Sequence, residues 1–310
     1  MNGIDVLKRF GFQIDKEPKS IYPFSPVYRI TDKGKELIVK RTQNPIEEAR
    51  KLVNYTTYLK NNGIKVVTPV DIQMDNPQDI GEETYVVYPF IEGTTYRGTD
   101  NQIFDAGKLL GQIHQLSLED NKYELEEYDV YDFNNEEIEE SVQAIEEFAK
   151  KVNHRTDGIL LKEKLLQIVT QQEELKNVGL PNVATPHDYK ANNLIYSPKP
   201  YLIDPDNAKW IPRIFDLALV LLLFHNELST APDKIFTPNQ WELFLSGYKE
   251  SVSLTDLEKS YWQKSIEHVF LDEVMWLMAE FEEDWDNPSQ LKLFDSLIDL
   301  VFDSSKYKFN

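Results

Sequence analysis

Hydrophobic and polar positions alternate over short runs in the first third of the chain. Four β-rich runs are present, at residues 20–30, 36–40, 66–70 and 83–88. A polar turn that contains Gly34 joins the first two runs. From Pro45 to about Asn61 the apolar positions follow a helical period, and Gly63 is suited to cap this helix. The pattern predicts an antiparallel sheet with one helix.

After Gly93 the apolar positions follow a helical period almost to the end of the chain. Predicted helices occupy residues 101–118, 136–151, 158–175, 214–224, 239–251, 254–285 and 288–302. The tryptophans within them, Trp241, Trp262, Trp276 and Trp285, are expected in the core. The predicted fold class is α+β with two lobes: residues 1–91 form a small sheet lobe, and residues 92–310 a larger helical lobe.

Composition and charge limit the possible partners. Hydrophobic residues make up 41% of the 310 residues, and the net charge is 33 − 53 = −20. This charge disfavours nucleic acid and anionic membranes as partners, and the longest apolar block is too short to cross a bilayer. The chain has no cysteine and no signal-peptide pattern, so a cytoplasmic location is expected. The acidic surface fits a cationic substrate or serves solubility alone.

One polar stretch has the residue types that phosphoryl transfer needs. Asp188 is followed by Lys190 and Asn193, then by a predicted β-hairpin that ends at Asp204. The hairpin would place Asn193 and Asp204 side by side with Asp188 nearby. Asp188 would orient a substrate hydroxyl and accept its proton, Lys190 would neutralise phosphoryl charge, and Asn193 with Asp204 would bind Mg²⁺.

A lysine and a glutamate in the first lobe complete the set. Lys40 ends the second β-rich run, and Glu48 lies one turn before Leu52 on the apolar face of the following helix. An ion pair between them would position the Lys40 ammonium for nucleotide phosphates. Taken alone, Lys40 would be read as an ordinary surface lysine.

The exit from the sheet lobe is suited to binding a purine. Pro89 offers a carbonyl but no N–H, and Ile91 offers an N–H. One acceptor and one donor two residues apart match the edge of adenine, although the segment also fits a plain connector. The pattern does not choose between ATP and GTP.

At these residues the chain resembles the aminoglycoside phosphotransferase and choline kinase group, the small-molecule branch of the protein-kinase-like fold. The resemblance extends over nearly the whole length, and its most specific elements are 109–116, Asp188–Asn193, 203–204 and 215–218. It implies a catalytic Asp188, metal ligands Asn193 and Asp204, and a phosphate-positioning pair Lys40–Glu48. It also implies that Ser25 lies in the nucleotide loop and that Asp216 braces the catalytic loop.

The chain departs from the family pattern in three places. The family usually has His-Gly-Asp where this chain has Pro186-His187-Asp188, and His187 is expected to be a loop histidine. Lys190 follows the Asp-x-Lys-x-x-Asn pattern of protein kinases. The loop 22–26 has no glycine, and Asp206 stands two residues after Asp204 as a second candidate metal-facing carboxylate. His114 is expected to pack and to bond to the backbone, without a catalytic role.

These features predict a Mg²⁺-dependent kinase, using ATP or GTP, that phosphorylates a hydroxyl of a small cationic molecule. An aminoglycoside-like antibiotic or an amino-alcohol metabolite would fit. A pseudokinase-like module that only binds nucleotide or metabolite is the alternative, motivated by the glycine-free loop. A protein kinase ranks last, because the segment between Asp204 and Asp216 is too short for a regulated activation loop. Oligomeric state is left open.

Overall fold

The first lobe is built on an antiparallel sheet. The computed structural model describes residues 2–23 and 25–309. The strands are β1 (Val27–Asp32), β2 (Lys35–Thr42), β3 (Gln78–Ile80) and β4 (Glu83–Pro89), in the order β1-β2-β4-β3. Two helices accompany them, α1 (Gly3–Arg9) and α2 (Ile46–Asn61). The fold class is confirmed, and α1 is a second helix that the pattern did not predict.

Two of the predicted strand runs are shorter or absent. The first begins only at Val27, and Phe24 within it lies outside the described residues. Residues 66–70 form no strand but a single parallel bridge between Val66 and Leu202. The reason is that this segment divides its hydrogen bonds: Val67 N donates to Leu202 O, and Val70 N to Val87 O. It therefore crosses from one lobe to the other.

The second lobe is mainly helical. Its first helices are α3 (Asp100–Gln115), α4 (Asn135–Lys151), α5 (Gly158–Val169) and α6 (Gln172–Asn177). They are followed by α7 (Arg213–Leu223), α8 (Pro238–Tyr248), α9 (Asp256–Val269), α10 (Met275–Glu280) and α11 (Pro288–Phe302). Within the described residues, none of these helices is long and apolar enough to cross a membrane.

Two small sheets frame the middle of this lobe. One has the order β5-β8-β9, formed by Thr94–Thr95, Leu194–Ser197 and Lys199–Leu202. The other has the order β6-β10-β7, formed by Glu126–Glu127, Lys209–Pro212 and Asn182–Thr185. The β8–β9 pair is the hairpin that the sequence predicts.

Helices α3 and α8 touch through glycines. A Cβ on Gly107 or Gly111 would overlap the carbonyl oxygen of Phe244 or Tyr248 in α8. These helix-interior glycines are explained by close approach, which offsets their low helix propensity. The contact also brings His114 of α3 within 2.8 Å of the Tyr248 hydroxyl.

The helix predicted over 254–285 is interrupted. After α9, residues Phe270–Val274 form a π-helical turn before α10, and Glu282–Asp286 form a 3-10 turn. Phe270, Leu271 and Val274 of the π turn are all buried, so the apolar pattern continues through the turn and does not reveal it. Trp276, expected in the core, is 39% exposed just after this turn.

Candidate active site

The predicted catalytic loop, residues 186–190, is held at both ends. Strand β7 ends at Thr185, and the loop continues into a 3-10 turn over Ala191–Asn193, whose Ala191 N donates to Phe224 O at 2.8 Å. The Asn193 amide donates to the Asp188 backbone oxygen at 3.0 Å and to its carboxylate at 3.4 Å. The amide oxygen of Asn193 then remains for another partner, such as a cation.

Lys190 lies beside the Asp188 carboxylate. Its ammonium is 3.2 Å from Asp188 Oδ2 and 2.9 Å from Glu227 Oε2. Burial raises the pKa of Asp188, and Lys190 opposes that shift. The structure brings Asp188 and Lys190 together. Glu227 was not predicted, because nothing in the pattern distinguishes it from other acids after α7.

The β8–β9 hairpin places Asp204 beside Asn193. Ile203 N donates to Asn193 O at 3.0 Å, which brings Asp204 next to Asn193. Lys40 of β2 reaches across from the first lobe, with its ammonium 2.6 Å from Asp204 Oδ1 and 3.0 Å from Asp206 Oδ2. The Asn44 amide also donates to Asp206 O at 2.8 Å. Ion pairs between Lys40 and these two aspartates therefore connect the two lobes at the site.

The predicted Lys40–Glu48 ion pair is not formed in this structure. Glu48 instead binds Lys51 at 2.9 Å, and its side chain is 45% exposed. The physical reason is competition: the Lys40 ammonium contacts two carboxylates at once, Asp204 and the sheltered Asp206, and together they attract it more strongly than one glutamate does. Helical register identified the face of Glu48 but not the cation nearest to it.

Three side chains at the site carry oxygen atoms that could bind a hard divalent cation. Asn193, Asp204 and Asp206 supply only oxygen donors, which Mg²⁺ prefers. Asp206 Oδ1 is buried and has no hydrogen-bond partner among the described residues. Burial raises the pKa of Asp206, with Lys40 opposing the shift. Within the described residues no group of three His, Cys, Asp or Glu side chains is arranged as a metal site, so phosphate oxygens would have to complete the coordination shell.

An apolar cluster lies between the lobes beside Lys40. Its buried members are Val67, Val86 and Tyr88, and partly buried Ile38, Ile91, Tyr201 and Ile203 pack against them. Ile38 and Lys40 lie two residues apart in β2, so their side chains are on the same face of the sheet. A planar ring could bind against this cluster, next to the charged groups.

Of the remaining predicted nucleotide contacts, Ile91 belongs to this cluster. Pro89 ends β4 opposite Leu37, and Phe90 N donates to Glu36 O at 3.0 Å. The Ser25 hydroxyl oxygen is buried and has no hydrogen-bond partner among the described residues. An oxygen-rich ligand would provide one.

Asp216 braces the catalytic loop, as the family resemblance implies. Its buried carboxylate accepts hydrogen bonds from Thr185 at 3.1 Å and from His114 at 3.0 Å, and lies 3.4 Å from His187. Burial alone would raise the pKa of Asp216, but the two histidines hold it well below its usual range. His114 bonds to the side chains of Tyr248, Thr185 and Asp216, so the expected backbone bond was wrong.

His187 is more than a loop histidine. It is buried, and its Nε2 lies 3.2 Å from Glu273 Oε1 in the π turn while its Nδ1 faces Asp216. Burial disfavours the imidazolium, yet hydrogen bonds to Asp216 and Glu273 raise the pKa of His187 to about 9. The imidazole at a position where the family has glycine marks this residue in the sequence, but it does not indicate the two acids that the imidazole contacts.

Fold and site together define a class: two-lobed, protein-kinase-like enzymes that phosphorylate small molecules. The model of the phosphotransferase enzyme family matches residues 23–248. The chain belongs to this family, and it is a small-molecule kinase.

Solved structures share the fold over nearly the full length. The spectinomycin phosphotransferase APH(9)-Ia, in complex with ADP and spectinomycin, is 16% identical, with 98% of this chain and 97% of that chain covered and a TM-score of 0.62. The amicoumacin kinase hAmiN, with AMP-PNP, Ca²⁺ and Ami, is 17% identical, with 99% and 95% covered and a TM-score of 0.65. A microcompartment-associated aminopropanol kinase is 11% identical, with 98% of each chain covered and a TM-score of 0.67. A sequence comparison with curated proteins gives no match.

Proposed function

We propose that the protein transfers the γ-phosphoryl group of Mg²⁺-bound ATP or GTP to a hydroxyl of a small cationic molecule. The observation that carries the proposal is the convergence of one base, two cations and three oxygen ligands from both lobes. Lys40 reaches Asp204 at 2.6 Å, and Lys190 and Asn193 both touch Asp188. We also propose that the boundary between the lobes lies at Ile91 and that the protein is cytoplasmic.

On the donor side, the base would lie against the apolar cluster between the lobes. The Pro89 carbonyl and the Ile91 N–H would read its edge. Lys40 and the buried Ser25 hydroxyl would contact the phosphates. Asn193 and Asp204 would hold Mg²⁺, which would neutralise charge on the phosphates.

On the acceptor side, Asp188 would receive the hydrogen bond and then the proton of the attacking hydroxyl. Because its pKa is raised by burial, Asp188 is a stronger base than a solvated aspartate. Lys190 would offset negative charge on the transferring phosphoryl group. In a loose transition state, orientation of the hydroxyl matters more than its deprotonation.

Several observations support a cationic acceptor. Glu227 binds Lys190 next to Asp188, and burial raises the pKa of Asp284, to which Glu283 and Glu227 contribute. Negative charge is therefore concentrated beside the catalytic loop in a chain of net charge −20. The name of the aminopropanol kinase combines an amine and a hydroxyl in one substrate. An amino alcohol or aminoglycoside has both groups, while nucleic acid and membranes are not expected partners.

The test is nucleoside diphosphate release with a panel of amino alcohols and aminoglycosides, using ATP and GTP separately. Wild type should turn over at least one acceptor, and Asp188→Asn should lower kcat by about two to four orders of magnitude. Asp256→Asn, a fully solvated aspartate far from the loop, is the matched control. Thermal shifts induced by acceptors but not by Mg²⁺-nucleotide, without turnover, would instead favour the binding module.

A further inference from the structure

The backbone of the catalytic loop is left-handed at two successive residues. His187 has φ +50° and Asp188 has φ +41°. Residues with a Cβ seldom occupy this region, and they do so at functional sites when surrounding contacts hold them there. Two such residues in a row at the proposed base require a specific restraint.

The His187 imidazole supplies contacts on both of its nitrogens. Nδ1 lies 3.4 Å from Asp216 Oδ1 in α7, and Nε2 lies 3.2 Å from Glu273 Oε1 in the π turn. A neutral imidazole has one N–H, whereas carboxylates only accept hydrogen bonds. Binding both acids therefore requires the imidazolium, and its side chain is only 7% exposed.

The far end of this bridge is the π-helical turn. Phe270–Val274 presents two adjacent acids toward the loop region: Asp272 accepts from the Tyr128 hydroxyl at 2.8 Å, and Glu273 binds His187. Successive residues of a regular helix point about 100° apart. The widened turn thus lets neighbouring carboxylates both find buried partners, and π turns recur at functional sites.

We propose that His187 is a positioning residue that clamps the catalytic loop between α7 and the π turn and thereby aims the Asp188 carboxylate. The inference rests on the proposed function, since it gives Asp188 the role of base. Loss of the clamp leaves the buried Asp216 and the partly buried Glu273 without their shared cation and releases the left-handed backbone. The Asp188 carboxylate then loses its aim, while the Lys40–Asp204 contacts in the nucleotide half are unchanged.

Two variants separate the clamp from general stability. His187→Asn tolerates a left-handed backbone but is too short to span both acids. Glu273→Gln keeps the shape of the partner and removes its charge. Each should lower kcat at least tenfold with KM for nucleotide within twofold, and the double variant should be no worse than the more affected single one.

A third variant provides the matched control. Lys164→Met breaks a comparably sheltered ion pair, Lys164–Glu267 at 2.6 Å, between α5 and α9. It should lower the melting temperature and leave kcat within twofold. A kcat within twofold of wild type for folded His187→Asn and Glu273→Gln, or additive losses in the double variant, overturns the proposal.

Hydrogen–deuterium exchange of the full-length chain tests the clamp without relying on turnover. Amides 187–191 should exchange at least tenfold faster in His187→Asn and Glu273→Gln, and at the wild-type rate in Lys164→Met. Unchanged exchange in the first two variants contradicts the proposal. If wild type turns over no acceptor, the proposed function fails, while the exchange result still decides the clamp.

Discussion

At the scale of single residues, the site depends on buried charges that compensate one another. Asp216 is fully buried and holds two histidines, and His187 in turn holds Glu273. Breaking such a pair leaves an uncompensated buried charge, which costs about 3–5 kcal/mol. The catalytic loop is therefore expected to be sensitive to protonation as well as to substitution.

The pH dependence of stability tests this. The folded-state pKa of His187 is raised to about 9 from an unfolded value of 6.5. Its contribution is therefore complete below pH 6.5 and lost as pH rises through 9, an effect on the order of 3 kcal/mol. The charged groups facing it are Asp216 from α7, Glu273 and Asp272 from the π turn, and Asp188 beside it.

The measurement is the free energy of unfolding in urea between pH 6 and pH 10. Wild type should lose stability over this window more steeply than His187→Asn, because both proteins share every other titrating group. Parallel curves for the two proteins would show that His187 is not held as an imidazolium.

Much of the site could be predicted at this scale because spacing constrains it. A three-residue 3-10 turn and a tight hairpin fix Asn193 and Asp204 relative to Asp188, so local sequence was sufficient. The partner of Lys40 was not predictable, since it depends on how the lobes face each other. The role of His187 was also missed, because Glu273 lies 86 residues away along the chain.

At the scale of elements, two departures from regular helix structure position the site. The π turn directs Asp272 and Glu273 inward, and the glycine contact between α3 and α8 sets His114 against Tyr248 and Asp216. Periodicity predicted most helices to within a few residues, because apolar stripes must face the core. It did not show the π turn after Val269, because buried apolar residues continue through that turn.

The helix contact gives a test. Gly111→Ala places a Cβ against the carbonyl oxygen of Tyr248, so the helices must move apart. We expect a loss of about 1–3 kcal/mol in unfolding free energy, despite the better helix propensity of alanine. Urea denaturation measures it, with Ser246→Ala on the exposed face of α8 as control. A stabilised Gly111→Ala protein would contradict the close packing.

At the scale of the whole molecule, the two lobes are linked at the site by Lys40. The link comprises ion pairs to Asp204 and Asp206 and the bridge of Val66 to Leu202. Two-lobed architecture followed from composition of the elements alone, whereas the position of one lobe against the other did not. A ligand between the lobes would contact both, so substitution of Lys40 should weaken its binding.

Lys40→Met should therefore lower kcat/KM for nucleotide about 10²-fold or more, because a cation facing the phosphates is lost. The thermal shift produced by Mg²⁺-nucleotide should shrink as well. Lys51→Met, which removes a nearby helix lysine paired with Glu48, is the control and should change either value less than threefold. Equal effects of the two substitutions would argue against a phosphate contact by Lys40.

The proposed reaction is phosphoryl transfer to a small-molecule hydroxyl with Asp188 as base. Phosphorus NMR of Mg²⁺-ATP or Mg²⁺-GTP mixed with an amino-alcohol or aminoglycoside acceptor tests it most directly. We expect a new phosphomonoester resonance with wild type and its near absence with Asp188→Asn. Only inorganic phosphate from wild type, no nucleotide consumption with any acceptor, or equal product from both proteins would contradict it.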